Sequence, residues 1–301
     1  MNIMKFTKAV SSVSDISKDN EKNVVKKGTL YIVATPIGNL ADISERARKV
    51  MSEVDFIAAE DTRNTSKLLS LYGITSKPLV CYFEHNKKKQ GGYIVNRLLC
   101  GESCALVTDA GTPAISDPGQ DLVRECIDAG VDISSLPGAC AMVTALTLSG
   151  FDTRRFVFEG FLDSIQKKRK ERIEELVDEK RTLVIYEAPH RIKNTLTDLF
   201  DIFGDRNIAL CRELTKINEE VIRCDLETAS ELYSQKEPRG EYVLVIEGAK
   251  ENTSEFFWSD MSIEEHIDFY VKNGNKKMDA IKLVAKDRKL PKNEIYKHTI
   301  K

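Results

Sequence analysis

The chain has 301 residues, of which 42% are hydrophobic and 31% charged, and a formal net charge of -2. That is enough apolar material for more than one core, while the small net charge means that a nucleic-acid partner has to be met by a local basic patch and not by a cationic surface as a whole. Seven scattered cysteines at 81, 100, 104, 126, 140, 211 and 224 include no C-x-x-C, which argues against a disulfide framework and a zinc ribbon and for a reducing, cytoplasmic setting. Without an apolar run of roughly 18 residues, a membrane span is excluded.

Residues 1–27 are polar and lack the apolar core of a signal peptide, so they read as a flexible extension. From Gly28 short apolar runs alternate with amphipathic stretches: strands at Thr29–Ala34, Val54–Ala59, Leu79–Phe83, Cys104–Thr108 and Asp132–Leu136, and helices near 42–52, 63–72, 88–99 and 119–129. This alternation predicts a mainly parallel sheet covered on both faces. It defines an N-terminal α/β domain over 28–137. After Pro137-Gly138 comes the small-residue helix Ala139–Ser149, and the pattern changes character past Gly150. Strands at Phe156–Gly160, Thr182–Tyr186, Asn207–Cys211, Glu219–Arg223 and Tyr242–Glu247, with helices near 164–179, 190–203 and 226–234, predict a mixed sheet in a second α/β domain over 138–249. Residues 250–301 read as a basic helical segment with helices at 262–272, 277–288 and 292–300, and carry a net +7 over 272–301. A solvated tail and an RNA-contacting module both fit it.

The turns locate the chemistry. Thr35-Pro36-Ile37-Gly38-Asn39 follows the first strand and Thr108-Asp109-Ala110-Gly111-Thr112-Pro113 the fourth. Open α/β sheets bind ligands at the carboxyl ends of their strands. Glycine admits close backbone approach and proline stiffens the loop, so the two turns predict a preformed cleft. Gly38 has no G-x-G-x-x-G around it and Gly111 is not followed by Gly-Lys-Ser/Thr, which removes the main support for nicotinamide and nucleoside-triphosphate ligands. Further polar clusters end other strands: Ala59-Glu60-Asp61-Thr62-Arg63, Tyr186-Glu187-Ala188-Pro189-His190-Arg191 and Arg212-Glu213-Leu214-Thr215. Each has a plainer reading, Asp61 as a helix N-cap and Arg212 as half of a surface ion pair. His85 and His190 are acid–base candidates. Scattered histidines and unclustered cysteines argue against a metal. The run Gln166–Lys170 opens a helix with seven bases against six acids over 163–181, a pattern that suits a solvated face or a phosphate contact.

Taken in order, LYIVATPIGNLADIS (30–44), AEDTR (59–63), TDAGTPAISDPG (108–119), PGACA (137–141), FEGFL (158–162), YEAPHR (186–191), RELTKINEE (212–220) and GEYVLVIEG (240–248) resemble the motifs of the ribosomal RNA small-subunit methyltransferase I family, in the tetrapyrrole-methylase superfamily. KKMDAIKLVAKDRKLPKNEIYKH (276–298) is similar to that family's C-terminal segment. The resemblance implies two α/β domains of the class III methyltransferase type, S-adenosylmethionine between them, a homodimer, and 2′-O-methylation of a cytidine in the decoding region of 16S rRNA, presented as rRNA or as the small ribosomal subunit. It sets the cofactor against Pro36, Gly38, Ala110, Gly111, Thr112, Pro113, Ile115, Cys140 and Ala141, with Glu187 and Leu214 closing from the second domain. Cys140 departs from the Ser or Thr common in relatives, which removes the hydroxyl expected there.

Such a cofactor has no phosphate, so shaped backbone takes the place of an anion-binding glycine loop. Alignment should supply much of the acceleration, and a ribose hydroxyl calls for a general base or an oriented water. The candidates for that base are Glu60 and Asp61, with Glu187, His190 and Glu213 as competitors; Arg63, Arg191 and Arg212 are candidates to hold the RNA backbone. Two alternatives stand beside this reading, a small-molecule methyltransferase of the same superfamily and a non-enzymatic ribosome-assembly factor. Transfer to a porphyrinogen would favour the first, and failure to bind S-adenosylmethionine the second.

Overall fold

The computed structural model describes residues 24–250, 258, 261–288 and 290–297. Most of the extension expected over 1–27, and the end of the helix expected over 292–300, lie outside them. Within the extension, the Lys26 amide donates to the Tyr31 hydroxyl at 2.8 Å and Val25 packs on the core.

Five strands, β1 (Thr29–Val33), β2 (Phe56–Ala59), β3 (Leu79–Cys81), β4 (Cys104–Val107) and β5 (Asp132–Leu136), form the first sheet in the order β3-β2-β4-β1-β5. Every pairing in it is parallel. The connections run through α1 (Glu45–Glu53), α2 (Thr62–Leu71), α3 (Lys87–Leu99) and α4 (Gly119–Asp128). Alternation within the strands sends Leu30, Phe56, Ala58, Cys104 and Leu106 to a core with Ile94, Leu98 and Leu122 of α3 and α4. Tyr31, Val33, Ile57, Ala59, Ala105 and Val107 go to the opposite core with Val50, Met51 and Leu69 of α1 and α2. Two buried faces explain why these strands read as nearly continuous apolar runs. The chain leaves β1 towards one side of the sheet and β4 towards the other, so a crevice opens between the carboxyl ends of these neighbours.

After α5 (Ala141–Ser149) the second sheet runs β6-β7-β10-β8-β9, from β6 (Phe156–Phe161), β7 (Thr182–Glu187), β8 (Asn207–Arg212), β9 (Glu220–Asp225) and β10 (Tyr242–Ile246). Only β6 and β7 pair in parallel; β10 lies antiparallel between β7 and β8, and β9 antiparallel on β8. Helices α6 (Gln166–Glu175), α7 (Ile192–Phe203) and α8 (Leu226–Gln235) bury Ile173, Leu196, Leu199 and Tyr233 against one face. Ala145 and Leu146 of α5 cover the other, where Ile37 of the first loop joins Val184, Ala209 and Leu214.

Several element ends differ from the sequence reading, three of them as follows. β3 stops at Cys81 because Asn86 bonds both the Phe83 amide and the Cys81 carbonyl and turns the chain. β6 continues to Phe161 through a register shift after Phe158. α6 ends four residues before the expected 179. The described residues from Ala249 onward form a separate compact unit, in which α9 (Ile263–Lys272), opened by a Ser262/Glu265 capping box, α10 (Lys277–Asp287) and α11 (Lys292–Lys297) share a core of Ile267, Ile281, Val284 and Ile295. No helix among the described residues is long and apolar enough to cross a membrane.

The basic run at the start of α6 is partly structural. Arg169 Nε donates to Asp198 at 2.7 Å, and the pair is 4% and 1% exposed. Removing one partner of a buried ion pair strands the other charge. Arg169→Ala should therefore lower the unfolding free energy in urea by about 3 kcal/mol, whereas Arg169→Met combined with Asp198→Leu should cost much less.

Candidate active site

The two turns singled out by sequence meet. The Thr35 amide donates to the Gly111 carbonyl at 2.9 Å and the Gly111 amide to the Thr35 carbonyl at 3.0 Å, while Thr35 Oγ1 donates to the Thr108 carbonyl at 3.1 Å. Gly111 has φ +85°, and a Cβ on it would sit 3.3 Å from Ile37. A second strap crosses from the other sheet: the Asn39 amide donates to Thr215 Oγ1 at 3.1 Å. A Cβ on Gly38 would lie 2.4 Å from the Lys216 side chain and 2.8 Å from Thr215 Oγ1, so this glycine lets the two loops close on each other.

Between them lies a cavity of about 450 Å³, within the size range of small-molecule sites. Four of the five non-glycine residues with positive φ among the described residues sit on its border loops, at Ala114, Ser116, Glu213 and Thr215. Backbone held in this region clusters where structure serves a site. Asp117 maintains the first of these loops by accepting from the amides of Ala114 at 2.9 Å and Gly119 at 2.7 Å.

Of the residues set against the cofactor by sequence, Ala110, Gly111, Thr112, Ile115, Cys140, Ala141, Glu187 and Leu214 line the cavity, as do Glu60 and His190. Pro36, Gly38 and Pro113 are not among the lining residues; Pro36 and Pro113 are buried behind it and stiffen the turns. Asp61, Arg63, Arg191 and Arg212 are also off its wall. The wall further includes Ile37 and Thr108 of the two turns and Tyr186 of the cluster that ends β7, together with Ser116, Phe161, Cys211, Glu241 and Val243, which no turn signal marks. Several of these belong to strand interiors, and the register that sets Tyr242 level with both Glu187 and Arg212 brings their ends to this edge.

The ionisable groups differ in how far they are committed. Glu187 accepts from Thr195 Oγ1 at 2.6 Å and from the Ala188 amide at 2.8 Å, and lies 3.2 Å from Arg191 Nε. Arg191 also donates to the carbonyls of Leu162 and Asp163. Asp61 caps α2 and takes a bidentate contact from Arg63, 3.1 Å from Nε and 2.7 Å from Nη2, which holds its carboxyl well below the usual range. Arg212 Nε donates to Glu220 at 2.9 Å. Burial pushes the Glu213 carboxyl up, but the hydrogen bonds from Lys216 and the Glu241 amide outweigh it and leave the group below its ordinary value. His190 is exposed at the cavity mouth, and His85 lies off the wall, edge-on to Phe83. Glu60 makes one side-chain bond, accepting from Thr108 Oγ1 at 2.8 Å. Among the described residues no group of three or more His, Cys, Asp or Glu could hold a metal ion.

A crevice at the switch point of a parallel sheet, closed by loops of a second mixed sheet, defines the class. The chain belongs to the Tetrapyrrole (Corrin/Porphyrin) Methylases, whose family model matches residues 29–230, and within them to the ribosomal RNA small subunit methyltransferase I family. It is 47% identical over 272 residues to Ribosomal RNA small subunit methyltransferase I of Halalkalibacterium halodurans, covering 90% of this chain and 94% of that protein. To the Bacillus subtilis protein of the same name it is 44% identical, over 89% and 93% of the two chains. The fold is also that of the methyltransferase CobJ (TM-score 0.57, 16% identity, 74% of this chain and 95% of that one). It matches uroporphyrin-III C-methyl transferase from Thermus thermophilus complexed with S-adenyl homocysteine (TM-score 0.53, 14% identity, 73% and 97%).

Cys140 stands at the N-cap of α5 without a side-chain capping bond. Tyr186, whose phenol burial pushes up to about 12, accepts from the Met142 amide at 3.1 Å in its place. The Val143 amide is left for a hydroxyl at the cap, so Cys140→Ser should raise stability by about 1 kcal/mol, read as an upward shift in Tm; an unchanged or lower Tm would show that the position cannot present its side chain to the helix.

Proposed function

We propose that this protein transfers the methyl group of S-adenosylmethionine to the 2′-hydroxyl of a cytidine ribose in the decoding region of 16S rRNA. The observation that carries the cofactor is the charge of the cavity: Glu60, Asp117, Glu187 and Glu241 line it, and among the described residues no lysine or arginine does. A wall of carboxylates repels phosphates and favours a cationic ligand. Ile37, Ile115, Leu214 and Val243 supply apolar surface for a flat, phosphate-free nucleoside. These residues fit S-adenosylmethionine, which brings a methyl carbon activated by its sulfonium. Small-subunit rRNA as the acceptor is supported by the name shared by the relatives at 44–47% identity, and the cytidine 2′-hydroxyl is what the resemblance of the sequence motifs implies.

Glu60 is the base in this reading. Its carboxylate is half-buried, faces the cavity and is oriented by the Thr108 hydroxyl, leaving one oxygen to accept the ribose proton. Glu187 and Glu213 are held in internal networks, and Asp61 turns to Arg63. His190 serves at the mouth. Arg63 has an 85% exposed side chain but is bound by Asp61, so contact with an RNA backbone would first have to open that pair, while Arg191 and Arg212 hold loops together. The free state of all seven cysteines suits a cytoplasmic protein. A homodimer and the 28–137, 138–249 and 250–301 division complete the proposal, with the last segment contacting RNA.

The test is transfer of labelled methyl to small ribosomal subunits lacking the modification, with the labelled nucleotide mapped by primer extension. Label on a cytidine ribose of the decoding region is expected; label on a porphyrinogen instead would move the acceptor to the small-molecule branch. In single turnover, Glu60→Gln should slow transfer by about 100-fold or more while S-adenosylhomocysteine at 100 times its Kd still stabilises the protein by about 2.7 kcal/mol. Asp61→Asn should stay close to the parent rate. A chain ending at Gly248 should keep cofactor binding but lose RNA affinity and show a flatter salt dependence; an unchanged slope would remove RNA contact from the C-terminal segment.

A further inference from the structure

A second, smaller hollow of about 220 Å³ opens on the other side of Thr108, walled by Asn64, Lys67, Leu68 and Leu71 of α2 and by Asp109. We propose that it receives the cytosine of the acceptor nucleotide, with Asp109 accepting from the exocyclic amine, Leu68 and Leu71 against the ring, and Lys67 on a flanking phosphate. The inference rests on the rRNA reading above and adds where that substrate is read and by which residues.

Three observations converge on this hollow. Thr108 lines both it and the main cavity, and its hydroxyl is the group that holds Glu60. A ribose hydroxyl delivered to Glu60 therefore places the attached base within a nucleotide's reach of the hollow. Among the described residues no lysine or arginine lines the main cavity, so the phosphates on either side of that ribose must find their partners outside it. Lys67 has no ion-pair partner among the described residues, whereas the neighbouring Arg63 is bound by Asp61. Leu71 leaves 67% of its surface exposed at the rim, an apolar contact that no described residue covers.

The polar end of the hollow has the chemistry of a base reader. Asn64 Nδ2 donates to Asp109 Oδ2 at 3.0 Å, which fixes the carboxylate and leaves its other oxygen as an acceptor. An ionised carboxylate accepts and cannot donate. Cytosine offers an N4 amine to it; uracil offers O4, a second acceptor, and is repelled.

The experiment compares methyl transfer to small subunits reconstituted with cytidine or uridine at the acceptor position. The parent protein should prefer cytidine by about tenfold or more in kcat/KM. Asp109→Asn, whose amide both donates and accepts, should bring that ratio towards unity while its Tm and its stabilisation by S-adenosylhomocysteine stay at parent values. Lys67→Ala should raise KM for both substrates alike and lower the salt slope of RNA binding by about one. A parent that methylates subunits without discriminating, or an Asp109→Asn protein that keeps the parent ratio, would overturn the assignment; so would loss of the S-adenosylhomocysteine effect in Asp109→Asn, which would place Asp109 in the cofactor cavity. No transfer to any subunit by the parent would fail the rRNA reading itself.

Discussion

The site depends on the reciprocal pair of backbone hydrogen bonds between Thr35 and Gly111. They join the loops that leave β1 and β4, the neighbouring strands whose connections diverge to opposite sides of the first sheet. Divergence alone would leave two independent loops with their own conformational freedom. Tied together, and stiffened by Pro36 and Pro113, they become one rigid floor, so little ordering remains for the moment of binding. The second sheet is built against that floor: Ile37 packs with Val184, Ala209 and Leu214, and Asn39 bonds Thr215. The cavity is thus a property of two cores sharing one loop.

Around the cavity most ionisable side chains are already paired, Glu187 with Thr195 and Arg191, Asp61 with Arg63, Glu213 with Lys216, Arg212 with Glu220. Such pairs hold loops in shape and are poor reagents, because proton transfer or ligand capture would first have to break them. Glu60 and Lys67 are the exceptions that matter. One faces the main cavity and the other the hollow beside it, with Thr108 between them. In the proposed reading, proton acceptance on one side and base reading and phosphate contact on the other are separated by Thr108, which lines both hollows at the carboxyl end of β4.

Much of the architecture was legible in the residues. The βα alternation of residues 28–136 and the closer strand spacing beyond Gly150 carry the two sheet types, since burial on both faces demands apolar runs and a mixed sheet needs only short turns. Gly38, Gly111 and their prolines marked the right loops. The role of Gly38 was not legible: the position reads as a ligand contact, yet it faces Thr215 and Lys216, residues some 180 positions away whose approach no local pattern encodes. Arg169 in a run of solvated bases is another such case, buried because Asp198 of the next helix meets it.

By itself the sequence determined the strands, the helices, the turns that border the cavity and, through eight motifs in order, the family. Those are local periodicities and local resemblances, and they survive without knowledge of what packs against what. Only the tertiary structure decided which carboxylate is free, which arginine is already engaged, and that Tyr186 stands in for the missing cap at Cys140. Each of those depends on a partner distant in the chain, brought near by the order of strands in a sheet. A hydrogen bond or an ion pair acts over about 3 Å, and sequence spacing does not report a distance of that kind.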